Sequence, residues 1–357
     1  MNLGHQVAAF MVVLAGIFTI SGHAHPSLNF NLSGSAWSSF YNLSGCHKGE
    51  HVPGLTAIKQ YLHTFGYIPQ NLNFTDDFDD SLESAIKTYQ QNFRLNATGS
   101  LDSGTVRQMM SPRCGVPDVV NGTTTMMRSR GLSSVMRYTF FPGNPRWPVW
   151  KRNLTYAIRP GTFSTSDDTA ARAVFARAFA RWAAATTLSF TESTSYSTAD
   201  IRIAFFGGDH GDGEPFDGAL GTLAHAFSPP DGRLHLDAAE LWVVSGNSRL
   251  GIDLESVAVH EIGHVLGLGH SSDEAAIMFP TITTGTRRVE LATDDIMGIQ
   301  ELYGANSNAG STASSPVTQE NEQNGAGNKQ NGAGGSSLGS VWARAGGLVL
   351  GALLLIS

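Results

Sequence analysis

Three histidines in the stretch DLESVAVHEIGHVLGLGHSSDEAAIMFP, residues 253–280, restrict this chain more than any other feature. His260 and His264 stand four apart, so on a helix both imidazoles project from one face toward one point. Two neutral imidazoles placed this way suit Zn²⁺, which takes nitrogen ligands in tetrahedral geometry. Glu261 lies between them, set to hold a water beside the metal rather than to bind the metal itself. Gly267 permits a sharp turn because a backbone with φ > 0 costs glycine little, and the turn returns His270 as a third nitrogen. The fourth position is left open for water, which separates a catalytic zinc site from a structural one. A core helix carrying chance histidines has no reason to add Gly267 and His270; their offsets weigh against coincidence by about a thousandfold at ordinary residue frequencies.

The rest of the composition sets limits. A chain of 357 residues has room for two modest domains plus extensions. Its net charge of −7 offers no basic footprint, so nucleic acid is excluded as a partner. Residues 8–20 are apolar and end at Gly22-His23-Ala24, a pattern that makes residues 1–24 a secretory signal peptide, although no Lys or Arg precedes the apolar run. Six acceptor sequons agree with secretion, at Asn31, Asn42, Asn73, Asn96, Asn121 and Asn153. At the other end, residues 305–337 are rich in Asn, Gly, Ser, Ala and Gln and read as a disordered linker. Small residues at 334–337, a spacer and a hydrophobic tail make residues 338–357 a signal for a glycosylphosphatidylinositol (GPI) anchor. An uncleaved membrane span is the alternative, but the tail is short against the roughly twenty residues a span needs. The expected location is secreted, at the outer face of the plasma membrane and the extracellular matrix.

Between these ends, residues 25–137 contain a helical unit. Leu55, Ile58, Leu62 and Phe65 fall at helical spacing, as do Leu82, Ala85, Ile86 and Tyr89, and a third helix fits Ser103–Met110 with Asp102 or Ser103 as cap. The unit ends in Pro112-Arg113-Cys114-Gly115-Val116-Pro117-Asp118, held extended by its prolines and kept slim by Gly115. A thiolate is a good fourth zinc ligand. With Cys114 in the open position the catalytic water is displaced and the protein is latent. A Cys46–Cys114 disulfide, which secretion permits, is the alternative, and a free buried Cys46 is equally compatible. Residues 119–137 are polar and expose Arg128, Arg130 and Arg137 to cleavage, so the mature part, residues 138–304, begins near Tyr138.

In that part Leu154, Tyr156 and Ile158 alternate as in a strand, as do Ile201, Ile203 and Phe205. Residues 166–186 fit a helix capped by Ser166, with Val174, Phe175, Ala178, Phe179 and Trp182 on its buried stripe. Residues 210–242 are rich in Gly, His and Asp, which is poor core material. His210, Asp212, His225 and His235 form an N₃O set able to close a second zinc site, and Asp217, Asp237 and Glu240 could build an oxygen-rich calcium site. On chemistry alone, solvated loop side chains are the commoner outcome for such residues. A last helix spans Thr293–Tyr303.

Pro112–Asp118 resembles the cysteine switch of the matrix metalloproteinases. Residues 260–278 resemble their zinc-binding helix and methionine turn, with Met278 beneath the metal and Ser271 after the third histidine. The likeness runs from about residue 45 to residue 304. With no haemopexin-like domain after it and a lipid-anchor-like end, the layout is most similar to a plant matrix metalloproteinase.

The resemblance implies an α+β fold: a metzincin-type catalytic domain with a mixed twisted sheet and long helices, preceded by a small three-helix propeptide domain. It implies a zinc endopeptidase with Glu261 as general base, Cys114 on the catalytic zinc of the latent form, and a structural zinc on His210, Asp212, His225 and His235. It implies calcium on Asp217, Asp237 and Glu240 with carbonyls of Gly218, Leu220 and Thr222. Asp200 matches a second calcium site, although Arg233 stands where that site takes an acid and Asp231 is the only nearby substitute. Substrate is expected to add as a strand along Gly221–Ala224, with the residue after the scissile bond in a pocket walled by Pro280 and Ile282. Ser256 at the depth-limiting position makes that pocket roomy enough for Leu. Expected partners are extracellular protein substrates and an activating protease, and the protein is expected to be a monomer. The rival is an anchored binding protein that keeps the zinc fold without turnover.

Overall fold

The computed structural model describes residues 35–69, 73–126, 136–161, 165–244 and 251–306. The signal peptide, the linker and anchor segments, Asn31, Arg128 and Arg130 lie outside the described residues.

The helical unit comprises a 3-10 turn at Ser38–Leu43, then α1 (Leu55–Thr64), α2 (Asp80–Asn92) and α3 (Ser103–Met109). Leu55, Ile58, Leu62, Phe65, Leu82, Ile86 and Tyr89 are all fully buried, so the helical spacing reports the core directly. Asp79 and Asp102 cap α2 and α3 by accepting the N–H groups of Leu82 and Thr105 at 2.8 and 2.9 Å. A core this small is near the limit for independent folding. It takes in Phe279 from the catalytic half, whose ring meets Phe93 edge-on at 5.8 Å. Cys46 packs in this core, and both cysteines are free thiols. That removes the disulfide alternative.

The chain after the helical unit then forms β1 (Arg113–Cys114) and a hairpin of β2 (Val119–Val120) and β3 (Thr123–Thr124). The segment after Asp118 is thus not a free polar linker from its start. Thr125 and Met126 are buried, and Arg137 pairs with Asp273 at 2.9 Å rather than standing free.

The catalytic half is built on a six-stranded mixed sheet, in the order β1, β7 (Thr222–Ala226), β8 (Arg233–Asp237), β6 (Ile201–Phe206), β4 (Asn153–Ile158) and β5 (Ser189–Glu192). All neighbours are parallel except β7 with β8. Helix α4 (Thr165–Ala185) buries Val174, Phe175, Ala178, Phe179 and Trp182. It starts at Thr165, which puts Ser166 inside the first turn rather than at the cap. Residues 210–242 are not loop throughout. β8 lies inside the sheet with Leu234 and Leu236 fully buried, and β7 is buried along its length. A short parallel pair, β9 (Trp242–Val243) with β10 (Ile252–Asp253), leads into α5 (Leu254–Val265), and α6 (Thr293–Tyr303) is the last element among the described residues. Every residue of α5 is buried, as expected for a helix with apolar residues on most sides. Among the described residues no helix is long and apolar enough to cross a membrane.

Candidate active site

α5 sets His260 and His264 one turn apart with their Nε2 atoms 3.1 Å from each other. Each ring is fixed from behind, His260 Nδ1 on the carbonyl of Ile277 at 2.7 Å and His264 Nδ1 on that of Leu268 at 2.8 Å. Those acceptors put the protons on Nδ1 and leave both Nε2 lone pairs facing inward. The helix then stops. Gly267 adopts φ +106°, and a Cβ there would lie 2.2 Å from the Pro145 carbonyl oxygen, so only glycine makes this turn. The reversed chain delivers His270, whose Nδ1 faces Asp118 Oδ1 at 2.8 Å and whose Nε2 is buried without a partner.

Cys114 arrives from the opposite wall, its Sγ 3.4 Å from His264 Nε2. The Cys114, His260, His264 and His270 ligand atoms all lie within 4.8 Å of one another. Ligands at tetrahedral zinc distances are separated by about 3.3 Å for two nitrogens and about 3.6 Å for nitrogen and sulfur. The donor set therefore fits zinc. Burial pushes all three imidazoles below their ordinary range, His260 to about 3, so each is neutral and able to ligate. Both oxygens of Glu261 are buried with no hydrogen-bond partner beside the Cys114 thiol, and burial pushes that carboxyl up to about 8.

The Pro112–Asp118 segment lies in the cleft as a strand. Arg113 N–H donates to the Gly221 carbonyl at 3.0 Å and Gly115 N–H to that of Ala224 at 2.7 Å, so the edge expected to receive substrate is taken by β1. On the other wall Cys114 N–H donates to Pro280 and Ile282 N–H to Pro112. A Cβ on Gly115 would meet Thr222 Cγ2 at 2.7 Å; the close approach requires glycine. Beneath the strand Arg113, fully buried, donates to Asp118 Oδ1 at 2.7 Å and lies 3.6 Å over the Phe65 ring. Burial alone would push the Asp118 carboxyl up, but Arg113 and His270 together hold it below its ordinary value.

A second cluster sits on β7, β8 and the loop before β7. Asp212 Oδ2 is 2.9 Å from His210 Nε2, 2.9 Å from His225 Nε2 and 2.7 Å from His235 Nδ1. These four atoms also lie within 4.8 Å of one another, a closed set with no position left over. Burial pushes His235 down to about 4.

The matrixin family model matches residues 146–304, and a domain family named for peptidoglycan binding matches residues 51–109. Over 332 residues the chain is 53% identical to Metalloendoproteinase 2-MMP of Arabidopsis thaliana, an alignment covering 88% of this chain and 87% of that one. It is 54% identical over 310 residues to Metalloendoproteinase 5-MMP of the same plant, covering 84% and 85%. It is 50% identical over 278 residues to Metalloendoproteinase 1 of Glycine max, covering 76% and 89%. The chain belongs to the matrixins, as a matrix metalloproteinase of the plant type.

This matrixin is accordingly a zinc metalloendopeptidase, with catalytic and structural zinc and calcium as its cofactors. The three carboxylates expected to hold calcium, Asp217, Asp237 and Glu240, are brought near one another. Asp237 Oδ2 and Glu240 Oε2 are buried without partners, while Glu240 Oε1 accepts Leu220 N–H and Asp217 Oδ1 accepts Thr222 N–H. Burial raises all three carboxyls, Glu240 to about 7, which a divalent cation would reverse. The Leu220 carbonyl accepts Ser35 Oγ–H at 2.9 Å and keeps a second lone pair. Asp200 is engaged by Lys151 and by Thr155, and Asp231 by Arg233 at 2.7 and 2.9 Å, so this corner carries its own counter-charges.

Several supports were not read from the sequence. Asp295 accepts the N–H groups of Ile277, Met278 and Ala292 and so shapes the turn bearing Met278 beneath α5. Thr139 donates to the His270 carbonyl at 2.8 Å. Asp118, read in the sequence only as the end of the Pro112–Asp118 motif, stands behind His270. Their partners are distant in sequence, and only the Asp294-Asp295 pair at the start of a helix carried any local signal.

Proposed function

We propose that this matrixin is a secreted, GPI-anchored zymogen that cleaves extracellular proteins before apolar residues such as Leu. The observation that carries the latency is Cys114 Sγ converging with three imidazole nitrogens while β1 fills the substrate edge. His260, His264 and His270 hold the catalytic zinc; His210, Asp212, His225 and His235 hold the structural one. Asp217, Asp237 and Glu240, with the carbonyls of Gly218, Leu220 and Thr222, hold calcium. Zinc, when bound, supplies Lewis acidity to the scissile carbonyl and to water. Glu261 takes the proton of the attacking water and passes it to the leaving amine nitrogen. The vacated β7 edge aligns the substrate backbone. Exposed Asn42, Asn73, Asn96, Asn121 and Asn153 are compatible with glycosylation in the secretory route.

The pocket is lined by Leu223, Ser256, Val257, Ile277, Phe279, Pro280 and Ile282 beside Glu261. Ser256 contributes little volume but much order: its Oγ donates to Asp253 at 2.6 Å and accepts Arg288 N–H at 2.8 Å. Ser256→Arg fills the depth, so preference after the scissile bond is expected to move from Leu toward shorter side chains. Profiling cleavage of a peptide library checks this.

The proposal as a whole is tested with a quenched peptide carrying Leu after the scissile bond. Activity that appears on adding a thiol-reactive mercurial and vanishes with a zinc chelator supports it. Silence throughout, with zinc confirmed bound, overturns it in favour of a binding protein. Release of the cell-surface protein by a GPI-specific phospholipase tests the anchor separately.

A further inference from the structure

The pocket beside Glu261 has a largely apolar lining that also takes in one cationic residue, Arg288. Ser256, Val257, His260 and Glu261 line it from α5, Ser256 about one helical turn, about 6 Å, along the helix from His260. The lining also includes Arg288, next to Ser256. Its backbone N–H is pinned on Ser256 Oγ, and one arm of its guanidinium, Nη1, makes a long 3.4 Å contact with the Ala276 carbonyl. The neighbouring acids are engaged elsewhere. Glu255, almost wholly buried, binds Arg177, Arg181 and Arg287, while Asp253 accepts from Ser256 and lies 3.7 Å from Arg287. No carboxylate pairs with Arg288 among the described residues. A guanidinium with five donors therefore lines an apolar pocket with most of its donors unspent.

We propose that Arg288 is a specificity-determining residue. It gives the pocket a cationic lining group, so that the pocket takes an unbranched side chain with an apolar stem and an accepting or anionic tip, Gln or Glu, and turns away Lys. This rests on the reading of the pocket as the one that holds the residue after the scissile bond. Leu enters by filling the walls; Glu enters by filling them and meeting the guanidinium. Lys has an unbranched stem like Glu and reaches further, but brings a like charge into a site of reduced dielectric.

The experiment uses the full chain activated by mercurial and peptides that differ only after the scissile bond, with Leu, Gln, Glu or Lys. The ratio of kcat/KM for Glu over Lys is read in wild type, Arg288→Gln, Arg288→Glu and Arg288→Lys. Wild type is expected to favour Glu by about tenfold, less as salt rises. Arg288→Gln brings the ratio toward one, Arg288→Glu inverts it, and Arg288→Lys, which keeps the charge, retains it. Equal ratios in wild type and Arg288→Gln overturn the proposal while leaving the pocket reading intact. Failure of wild type to cut the Leu peptide would overturn the pocket reading itself, and the proposal with it.

Discussion

Full-length protein carrying Cys114→Ser cleaves the Leu peptide without mercurial, whereas wild type is silent until mercurial is added. Cys114 Sγ stands 3.4 Å from His264 Nε2 at the point where His260 and His270 also converge. Burial and the charge of Glu261 push its thiol well above the ordinary range, so nothing but a metal would hold it as thiolate here. A serine hydroxyl is a poor zinc ligand and does not replace it. The strand contacts of β1 to Gly221, Ala224, Pro280 and Ile282 survive the substitution. The expected activity of the variant is therefore clear but below that of the enzyme freed of its propeptide. Adding Glu261→Gln removes the general base without changing size, and lowers kcat by about 10²–10⁴-fold. The measurement is initial rate on the quenched peptide, with zinc content determined for each variant. A Cys114→Ser protein as silent as wild type, with zinc bound, would show that strand occupancy alone maintains latency.

The site and the fold differ in how much of them the sequence discloses, and the reason is range. His260, His264 and His270 are legible because helix periodicity and one glycine-permitted turn fix their geometry within eleven residues. The stripe of α4 is legible for the same reason, as are α1 and α2 and the whole of α6. β7 and β8 are obscured by the chemistry they carry. His235 and Asp237 alternate with Leu234 and Leu236, and His225 lies opposite His235. These polar positions are buried rather than solvent-facing and the strands are short, so amid the surrounding Gly, His and Asp the metal-bearing strands read as loop. Cys46 and Cys114 could not be told apart as a pair or as two thiols until their places in space were known. Asp200 matches a second calcium site only by the resemblance, with Arg233 counting against it, and the partners the two residues take, Lys151 and Asp231, could not be read from the sequence. Contacts such as Asp118 to His270, 152 residues apart, leave no local trace at all.

That last contact makes Asp118→Asn the most informative change outside the metal ligands. One buried carboxylate serves three partners: Oδ1 accepts from Arg113 at 2.7 Å and faces His270 Nδ1 at 2.8 Å, and Oδ2 accepts from Tyr67 at 2.8 Å. Arg113 has no exposure to water, so removing the anion leaves a buried guanidinium uncompensated, which costs about 3–5 kcal/mol. All of these partners except His270 belong to the propeptide, so the cost falls on the closed, propeptide-bound state. A loss of about 3 kcal/mol raises the opened population by about two orders of magnitude. The Asp118→Asn zymogen is therefore expected to leak activity without mercurial, at a rate at least about a hundredfold above wild type. His270 also loses an anionic acceptor behind its ligating nitrogen, and changes of that kind lower metal affinity by about 10–100-fold. Faster zinc loss to a chelator from the intact zymogen reads this second effect apart from proteolysis. Replacing Arg113 and Asp118 together by apolar residues separates the two, because it restores a charge-free core while leaving His270 without its partner. A double variant that regains latency yet still sheds zinc quickly is the expected outcome. An Asp118→Asn zymogen that stays silent and holds zinc as wild type does would mean that the thiol bond and the β1 strand pairing carry latency without the buried ion pair.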